Sequence, residues 1–145
     1  MNNHKDLEVW KKSVELAKDV YEATKAFPKD EIFGLTSQMK RASVSIASNI
    51  AEGAARKGQR EFVQFLYIAI GSASELDTHI EIAKAIGMGD AAVLNNLQQR
   101  TGTVKAMLYG LAKSKSPSGE HREMIGLLFT VHGSPFTVHR SQFTL

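Results

Sequence analysis

Residues 39–57 read MKRASVSIASNIAEGAARK, a stretch with small residues at its centre and basic residues near both ends. Apolar and small residues recur through it at alternating spacings of three and four, which is typical of one buried face of an α-helix. With one turn added upstream, this stripe consists of Leu35, Met39, Ala42, Ile46, Ile50 and Gly53. Small side chains permit close packing, and we expect a helix carrying Ala69, Gly71 and Ala73 to approach it. The stretch therefore predicts a tightly packed helix.

The same rhythm appears in three other segments. The first contains Leu7, Trp10, Val14, Ala17, Tyr21 and Thr24. The third contains Phe62, Phe65, Ala69, Ala73, Leu76, Ile80 and Ala83. The fourth contains Leu94, Leu97, Thr101, Val104, Leu108 and Leu111. Because the connections are short, successive helices should be antiparallel neighbours, and the sequence predicts an all-α, antiparallel up-down-up-down four-helix bundle over residues 4–113.

Turn and capping residues separate these segments. Pro28 interrupts the first segment, and Thr36 is an expected N-cap of the second. Gly87 suits a left-handed C-cap after the third segment, and Asp90 suits the N-cap of the fourth.

Residues 114–145 form a different kind of sequence. A serine-rich linker is followed by a short unit, FTVH or FTL, that begins at Phe129, Phe136 and Phe143. So few copies of so short a unit cannot bury a core. We therefore expect a linker and a poorly ordered, low-complexity, non-bundle tail, derived from repetitive DNA and appended to a complete domain.

The composition sets broad limits on function. The chain has 145 residues, of which 43% are apolar and 23% charged, as expected for one soluble globular domain. No apolar run approaches the ~20 residues of a membrane span, and the N-terminus does not resemble a signal peptide. The absence of cysteine excludes disulfides and cysteine nucleophiles and favours a cytoplasmic protein without a membrane partner. A net charge of +3 is too small to identify a nucleic-acid binder.

The candidates for catalysis and metal binding are weak. No Glu-x-x-His pair of the di-iron type occurs, and Glu75 and His79 are four residues apart on the face opposite the third stripe, which predicts a solvated pair. The serines of the second segment have no histidine near them in sequence. We interpret Asn49 as a hydrogen-bonding partner of a neighbouring helix end. The sequence predicts no enzyme activity, metal, cofactor or small-molecule substrate.

Five basic residues are candidates for nucleic-acid contact. They are Lys40, Arg41, Arg56, Lys57 and Arg60. An alternative interpretation applies to Arg56 and Lys57, which we expect in the last turn of the second helix, where cations interact favourably with the helix dipole. For Arg60 the alternative is a solvated side chain. Both interpretations remain open on the sequence alone.

Additional apolar rows on three helices predict a protein partner. The rows are Val44, Ala47 and Ala51 in the second segment, Ile68, Ile82 and Ile86 in the third, and Val9, Leu16, Val20 and Phe27 beside the first. The simplest partner is another copy of the chain, with Val44, Ala51, Ile68 and Ile82 as candidate contacts. A ring would repeat a small basic patch around its axis and so strengthen binding to a polyanion.

Several motifs resemble one known family. The stretches 6–10 (DLEVW), 31–38 (EIFGLTSQ), 41–46 (RASVSI), 48–53 (SNIAEG) and 71–76 (GSASEL) resemble the 23S rRNA-intervening-sequence proteins, and the likeness covers roughly residues 4–112. That family is named for reading frames found inside intervening sequences of bacterial 23S rRNA genes. It also resembles the accessory variability protein of diversity-generating retroelements, a basic pentameric barrel that works with a reverse transcriptase and binds nucleic acid.

The resemblance implies a non-enzymatic four-helix bundle that assembles as a homo-oligomer of five copies. Together with the basic residues, it favours an adaptor that associates with RNA, DNA or a ribonucleoprotein through a basic surface. The alternative is a bundle that binds only proteins.

Overall fold

A computed structural model describes residues 3–117, and within that range every regular element is helical. Four α-helices follow one another: α1 (Glu8–Thr24), α2 (Leu35–Ala55), α3 (Gln59–Ala85) and α4 (Ala91–Lys115). Short 3₁₀ helices, His4–Asp6 and Lys29–Phe33, precede α1 and α2. The expectations for 118–145, including the FTVH repeat, lie outside the described residues.

The predicted four-helix bundle is confirmed. Each of the pairs α1–α2, α2–α3, α3–α4 and α1–α4 is in contact, so the helices close around one core. Helix α4 continues to Lys115, so the first residues of the expected linker are helical. In the described part of the chain, no helix is both long and apolar enough to cross a membrane.

The predicted stripes of α2, α3 and α4 form most of this core. Met39, Ile46 and Ile50 of α2 are fully buried. In α3 and α4 the stripe residues are buried apart from Phe65 and Leu111, which are partly buried. The spacing of apolar residues was therefore sufficient to orient three of the four helices.

The stripe predicted for α1 was wrong. The buried row is Val9, Ser13, Leu16, Val20 and Thr24. Val14 and Tyr21 are instead 40% and 46% exposed. Both rows have helical spacing, so spacing alone does not distinguish them. The buried row includes two polar residues, Ser13 and Thr24, and their burial costs little because their hydroxyls donate to carbonyls of the preceding turn. The apolar row expected to be additional on α1 is thus its core face.

Helix α2 closely approaches the start of α3 at Gly53. A Cβ added to Gly53 would lie 2.5 Å from the Cβ of Phe65 and 3.0 Å from Cδ2 of Phe62. The expectation that small residues of α2 allow α3 to approach is confirmed. The residues in contact differ from those expected, because Gly71 is exposed and an added Cβ there would have no atom within 4 Å.

Two of the predicted helix ends are confirmed. The carboxylate of Asp90 accepts a hydrogen bond of 2.9 Å from the Val93 backbone N–H, as an N-cap does. Gly87 has a φ of 70°, and the next N–H, of Met88, donates to the carbonyl of Ala83 at 2.8 Å. This pairing is the Schellman arrangement that a left-handed C-cap glycine supports.

The N-cap predicted at Thr36 was wrong. Gly34 precedes the first helical residue, and the Glu31 carboxylate accepts from the Leu35 N–H at 3.0 Å. Thr36 lies inside the first turn, and its buried hydroxyl has no hydrogen-bond partner among residues 3–117. The carboxylate was overlooked because it reaches the helix from the preceding 3₁₀ helix.

Replacement of two glycines should separate close packing from helix propensity. We expect Gly53→Ala to lower the free energy of unfolding by about 1–3 kcal/mol, because the new methyl group must displace Phe65. Gly71→Ala, the matched control, should raise it by about 0.5–1 kcal/mol, because alanine favours an exposed helix interior. Urea unfolding measures both changes. A Gly53→Ala variant as stable as Gly71→Ala would contradict the packing described here.

Candidate nucleic-acid interface

The five basic residues predicted as a site fall into two groups. Lys40 and Arg41 lie in the second turn of α2, whereas Arg56 directly follows its last residue. At ~1.5 Å of rise per residue, Arg41 and Arg56 are separated by about 22 Å along the helix. Lys57 and Arg60 lie with Arg56 at the turn into α3. The structure therefore does not bring the five together as one patch.

In the group near the start of α2, Lys40 contacts an aromatic ring, whereas the Arg41 side chain has no partner in residues 3–117. The Lys40 ammonium lies 4.8 Å from the centroid of the Tyr21 ring, a cation–π contact that holds α2 against α1. Arg41 is exposed and makes no hydrogen bond or ion pair with any residue in 3–117. Only Arg41 in this group is available to a partner without loss of an internal contact.

Arg56, at the other end of α2, makes two side-chain contacts within the bundle. Its guanidinium donates to the Glu52 carboxylate at 2.8 Å and lies 5.0 Å from the centroid of the Phe65 ring. The expectation that Arg56 and Lys57 belong to the last turn was wrong, because α2 ends at Ala55 and Arg56 is extended. The guanidinium thus covers the Gly53–Phe65 contact from outside.

Further cations join this end of the bundle from α4. The side-chain amide of Gln59, the first residue of α3, donates to the backbone carbonyl of Lys115 at 2.6 Å. This hydrogen bond places the last turn of α4, with Lys113 and Lys115, beside the turn that carries Lys57 and Arg60. The resulting surface, here called the basic end, consists of Arg56, Lys57, Arg60, Lys113 and Lys115.

The two lysines of α4 were missed because the sequence around them was interpreted as the start of a linker. Their signal was a pair of cations at a helix C-terminus, where they interact favourably with the dipole. Apart from Arg56, the side chains of the basic end form no ion pair within the described residues. The neighbouring acids are Glu52, which is paired with Arg56, and Glu61.

The candidate oligomer contacts lie on the outside of the bundle. Val44, Ile68 and Ile82 are exposed, and Ala51 is partly buried. Val44 and Ala51 lie on α2, while the two isoleucines lie on the outer face of α3. These positions leave apolar surface on two adjacent helices available to a partner.

Two polar groups differ from their predicted roles. His79 is only 7% exposed, and its Nδ1 has no hydrogen-bond partner in the described structure, so it is not a solvated partner of Glu75. The Asn49 amide donates to the carbonyl of Ser45 in its own helix at 2.8 Å, and not to a neighbouring helix end. Ser45 and Ser72 share a hydrogen bond of 2.8 Å between α2 and α3. Ser45 of the RASVSI stretch and Ser72 of the GSASEL stretch therefore contribute to the α2–α3 contact.

Two ionisable groups outside the basic end, Tyr67 and Glu81, belong to contacts between α3 and α4. Burial raises the pKa of Tyr67, whose ring meets that of Tyr109 edge-on at 6.3 Å between centroids. The hydrogen bond from Gln98, followed by that from Lys84, lowers the pKa of the Glu81 carboxyl between α3 and α4. Within residues 3–117, no three His, Asp or Glu side chains are grouped as metal ligands would be.

Comparison with known proteins relates the chain to one family and one solved fold. The family described as 23S rRNA-intervening sequence protein matches residues 5–110. A crystal structure from Bacteroides thetaiotaomicron VPI-5482, of a protein with unknown function from the S23 ribosomal protein family, superposes with a TM-score of 0.66 at 21% identity. The match covers 72% of this chain and 98% of that one, and it shows a shared fold. No curated protein matches the chain.

The two cations after α2 should differ in their effect on stability. Arg56→Ala removes a cation–π contact and a surface ion pair, each typically worth about 0.2–1 kcal/mol, and should lower the free energy of unfolding by up to about 2 kcal/mol. Lys57→Ala, the matched control, should change it by less than about 0.5 kcal/mol. Equal midpoints for the two variants in urea would contradict the structural role assigned to Arg56.

Proposed function

The chain belongs to the family of 23S rRNA-intervening sequence proteins, and from that premise we propose that it is a non-enzymatic homo-oligomeric adaptor of the cytoplasm. It associates with RNA, DNA or a ribonucleoprotein through the basic end. The family takes its name from the location of its reading frames, so RNA and DNA are both ligands to test.

The observation that supports this proposal is the convergence of unpaired cations at one end of the bundle. Lys57 comes from the α2–α3 turn, Arg60 from the first turn of α3, and Lys113 and Lys115 from the last turn of α4. The Gln59 hydrogen bond joins that last turn to the start of α3. Ammonium and guanidinium groups bind phosphate oxygens whatever the base, so they provide affinity without sequence readout.

Base stacking should contribute little to this binding. Of the aromatic rings at the start of α3, Phe62 is buried and Phe65 lies beneath the Arg56 guanidinium. Single-stranded nucleic acids are bound tightly where aromatic rings offer free faces to the bases. The proposed contact is therefore dominated by phosphate and depends steeply on salt.

Assembly is part of the proposal because a single basic end offers few charges. A closed ring would repeat this surface at each subunit, with five copies as the number implied by the family resemblance. Several weak contacts along one nucleic-acid chain then act as one multivalent contact. The runner-up, a bundle that binds only proteins, is favoured by the exposed Val44, Ile68 and Ile82.

Charge reversal at the basic end should weaken nucleic-acid binding. We expect Lys57→Glu with Arg60→Glu to reduce the affinity for a fluorescein-labelled, 20-nucleotide single-stranded RNA at least tenfold in fluorescence anisotropy. Losing two phosphate contacts per subunit should also reduce the slope of log affinity against log salt by about 1.4. Lys18→Glu with Lys105→Glu, midway along α1 and α4, makes the same change in net charge and should have little effect.

Equal losses in the two double variants would show that net charge, and not the basic end, governs binding. If the wild-type oligomer binds neither RNA nor DNA at low salt, the nucleic-acid function is wrong and the protein-binding alternative takes its place.

Charged residues on the outer face of α3 should disrupt the assembly. We expect Ile68→Asp with Ile82→Asp to reduce the sedimentation coefficient to that of a smaller species at tens of micromolar protein, because a desolvated carboxylate opposes association. Thr103→Asp with Ala106→Asp places the same charge on exposed positions of α4 and should leave the coefficient unchanged. A monomeric wild-type protein would refute the oligomer itself.

A further inference from the structure

A rigid apolar projection precedes α2. Ile32 is 57% exposed and Phe33 is 93% exposed, although both are large apolar side chains. Their backbone is not a loose loop, since they end the 3₁₀ helix Lys29–Phe33, and the N–H groups of Gly34 and Leu35 both bond to Glu31. This pair, here called the knob, is held outward by the structure instead of folding onto the core.

An apolar depression lies on another face of the bundle, between α1 and α4. Its volume is about 550 Å³, within the range typical of ligand-sized pockets. The apolar lining includes Ala23, Ala26, Phe27, Val93, Leu94 and Leu97. Asp19, Glu22, Asp90 and Arg100 contribute its polar edges. This depression, here called the groove, is large enough to accept the ring of Phe33.

The knob and the groove belong to different sides of one chain. The knob is attached to α2, which packs between α1 and α3, whereas the groove lies where α4 meets α1. A contact between the knob of one copy and the groove of the next is therefore heterologous, and repeated rotation about one axis can close it into a ring.

Their positions along the bundle satisfy the symmetry of such a ring. Rotation about an axis parallel to the helices moves no group along the axis, so the two sides of a contact must lie at one level. The knob comes just before α2, and Phe27 comes just after α1, and these two helix ends lie at the same end of the bundle. The Lys40–Tyr21 contact shows that the start of α2 and the end of α1 lie at the same height along the bundle.

About one turn from the knob and Phe27 along the bundle, the two proposed contact surfaces carry opposite charges. Arg41 follows Lys40 and so lies near the level of Asp19 and Glu22, about one turn below the end of α1. Arg41 is exposed without a partner in residues 3–117, while Asp19 and Glu22 stand at the groove, each in a single, partly exposed ion pair. A carboxylate in such a pair can accept a second cation.

We propose that the Ile32–Phe33 knob of one copy inserts into the α1–α4 groove of the next, with Arg41 against Asp19 and Glu22. This inference rests on the homo-oligomer of the proposed function and adds a knob–groove contact to the one proposed at Ile68 and Ile82 on α3. It assigns Arg41 to the interface between copies and leaves nucleic-acid contact to the basic end.

Complementation between two single variants tests the pairing. Phe33→Ala removes the knob, and Ala26→Trp fills the groove at an exposed position. In sedimentation velocity, we expect the wild type to be an oligomer and each variant alone to be a monomer. An equimolar mixture should form a 1:1 heterodimer and nothing larger, because only one knob–groove contact can form between the two variants.

A charge exchange tests the same contact without removing apolar surface. We expect Arg41→Glu to weaken assembly at least tenfold, and Glu22→Arg added in the same chain to restore most of it. If Phe33→Ala or Ala26→Trp does not show the wild-type circular dichroism spectrum, these two charge variants still test whether the knob–groove contact forms. Absence of rescue would overturn the proposed arrangement.

The remaining outcomes separate this inference from the proposed function. An assembled Phe33→Ala variant would overturn the knob–groove contact while leaving the oligomer standing, and a monomeric wild type would overturn both. A Phe33→Ala monomer that still binds the labelled RNA weakly, and loses that binding on Lys57→Glu, would support the contact and the basic end separately.

Discussion

The contact between Gly53 and the first turns of α3 is the constraint on which the rest of the structure depends. With no side chain at Gly53, α2 approaches Phe62 and Phe65 closely enough for α3 to start immediately after a short turn. That turn carries Lys57 and Arg60, and the ring of Phe65 supports the Arg56 guanidinium. The close packing of small residues and the positions of Arg56, Lys57 and Arg60 are therefore two consequences of one close approach. A larger residue at this position would move the turn and its cations together.

The same helix arrangement separates charge from apolar surface. The basic end collects the α2–α3 turn and the last turn of α4, because antiparallel packing brings them to one end. The exposed apolar side chains Val44, Ile68 and Ile82 lie along the sides of the bundle instead. A protein that packs its sides against other copies keeps its ends accessible to a long polyanion. Assembly and nucleic-acid binding are thus compatible within one fold, since neither function needs the surface used by the other.

Much of this fold could be predicted from the sequence, because three of the four helices have one apolar row that clearly exceeds any other. In α1 two rows compete, and spacing alone could not decide between them. The structure resolves the choice through Tyr21, which stays at the surface beneath Lys40, and through Ser13, whose hydroxyl is satisfied inside its own helix. The basic site was only half predictable for a similar reason. Lys57 and Arg60 stand out locally, but Lys113 and Lys115 join them through a hydrogen bond between residues far apart in sequence.

The different environments of the cations also show why a charge count is a poor guide to function. Lys40 and Arg56 each lie over an aromatic ring, so binding a phosphate would require them to give up contacts that hold helices together. Lys57, Arg60, Lys113 and Lys115 hold no such contacts in the described residues, and phosphate contact would cost them only hydration and side-chain freedom. Arg41 is equally unpaired, but it lies about 22 Å from this surface along α2, nearer to the 3₁₀ helix that carries the exposed Ile32–Phe33 pair. The geometry therefore divides five similar residues into two cations that contact aromatic rings within the fold, Lys40 and Arg56, and three without such contacts, which we propose bind a polyanion or, for Arg41, another copy.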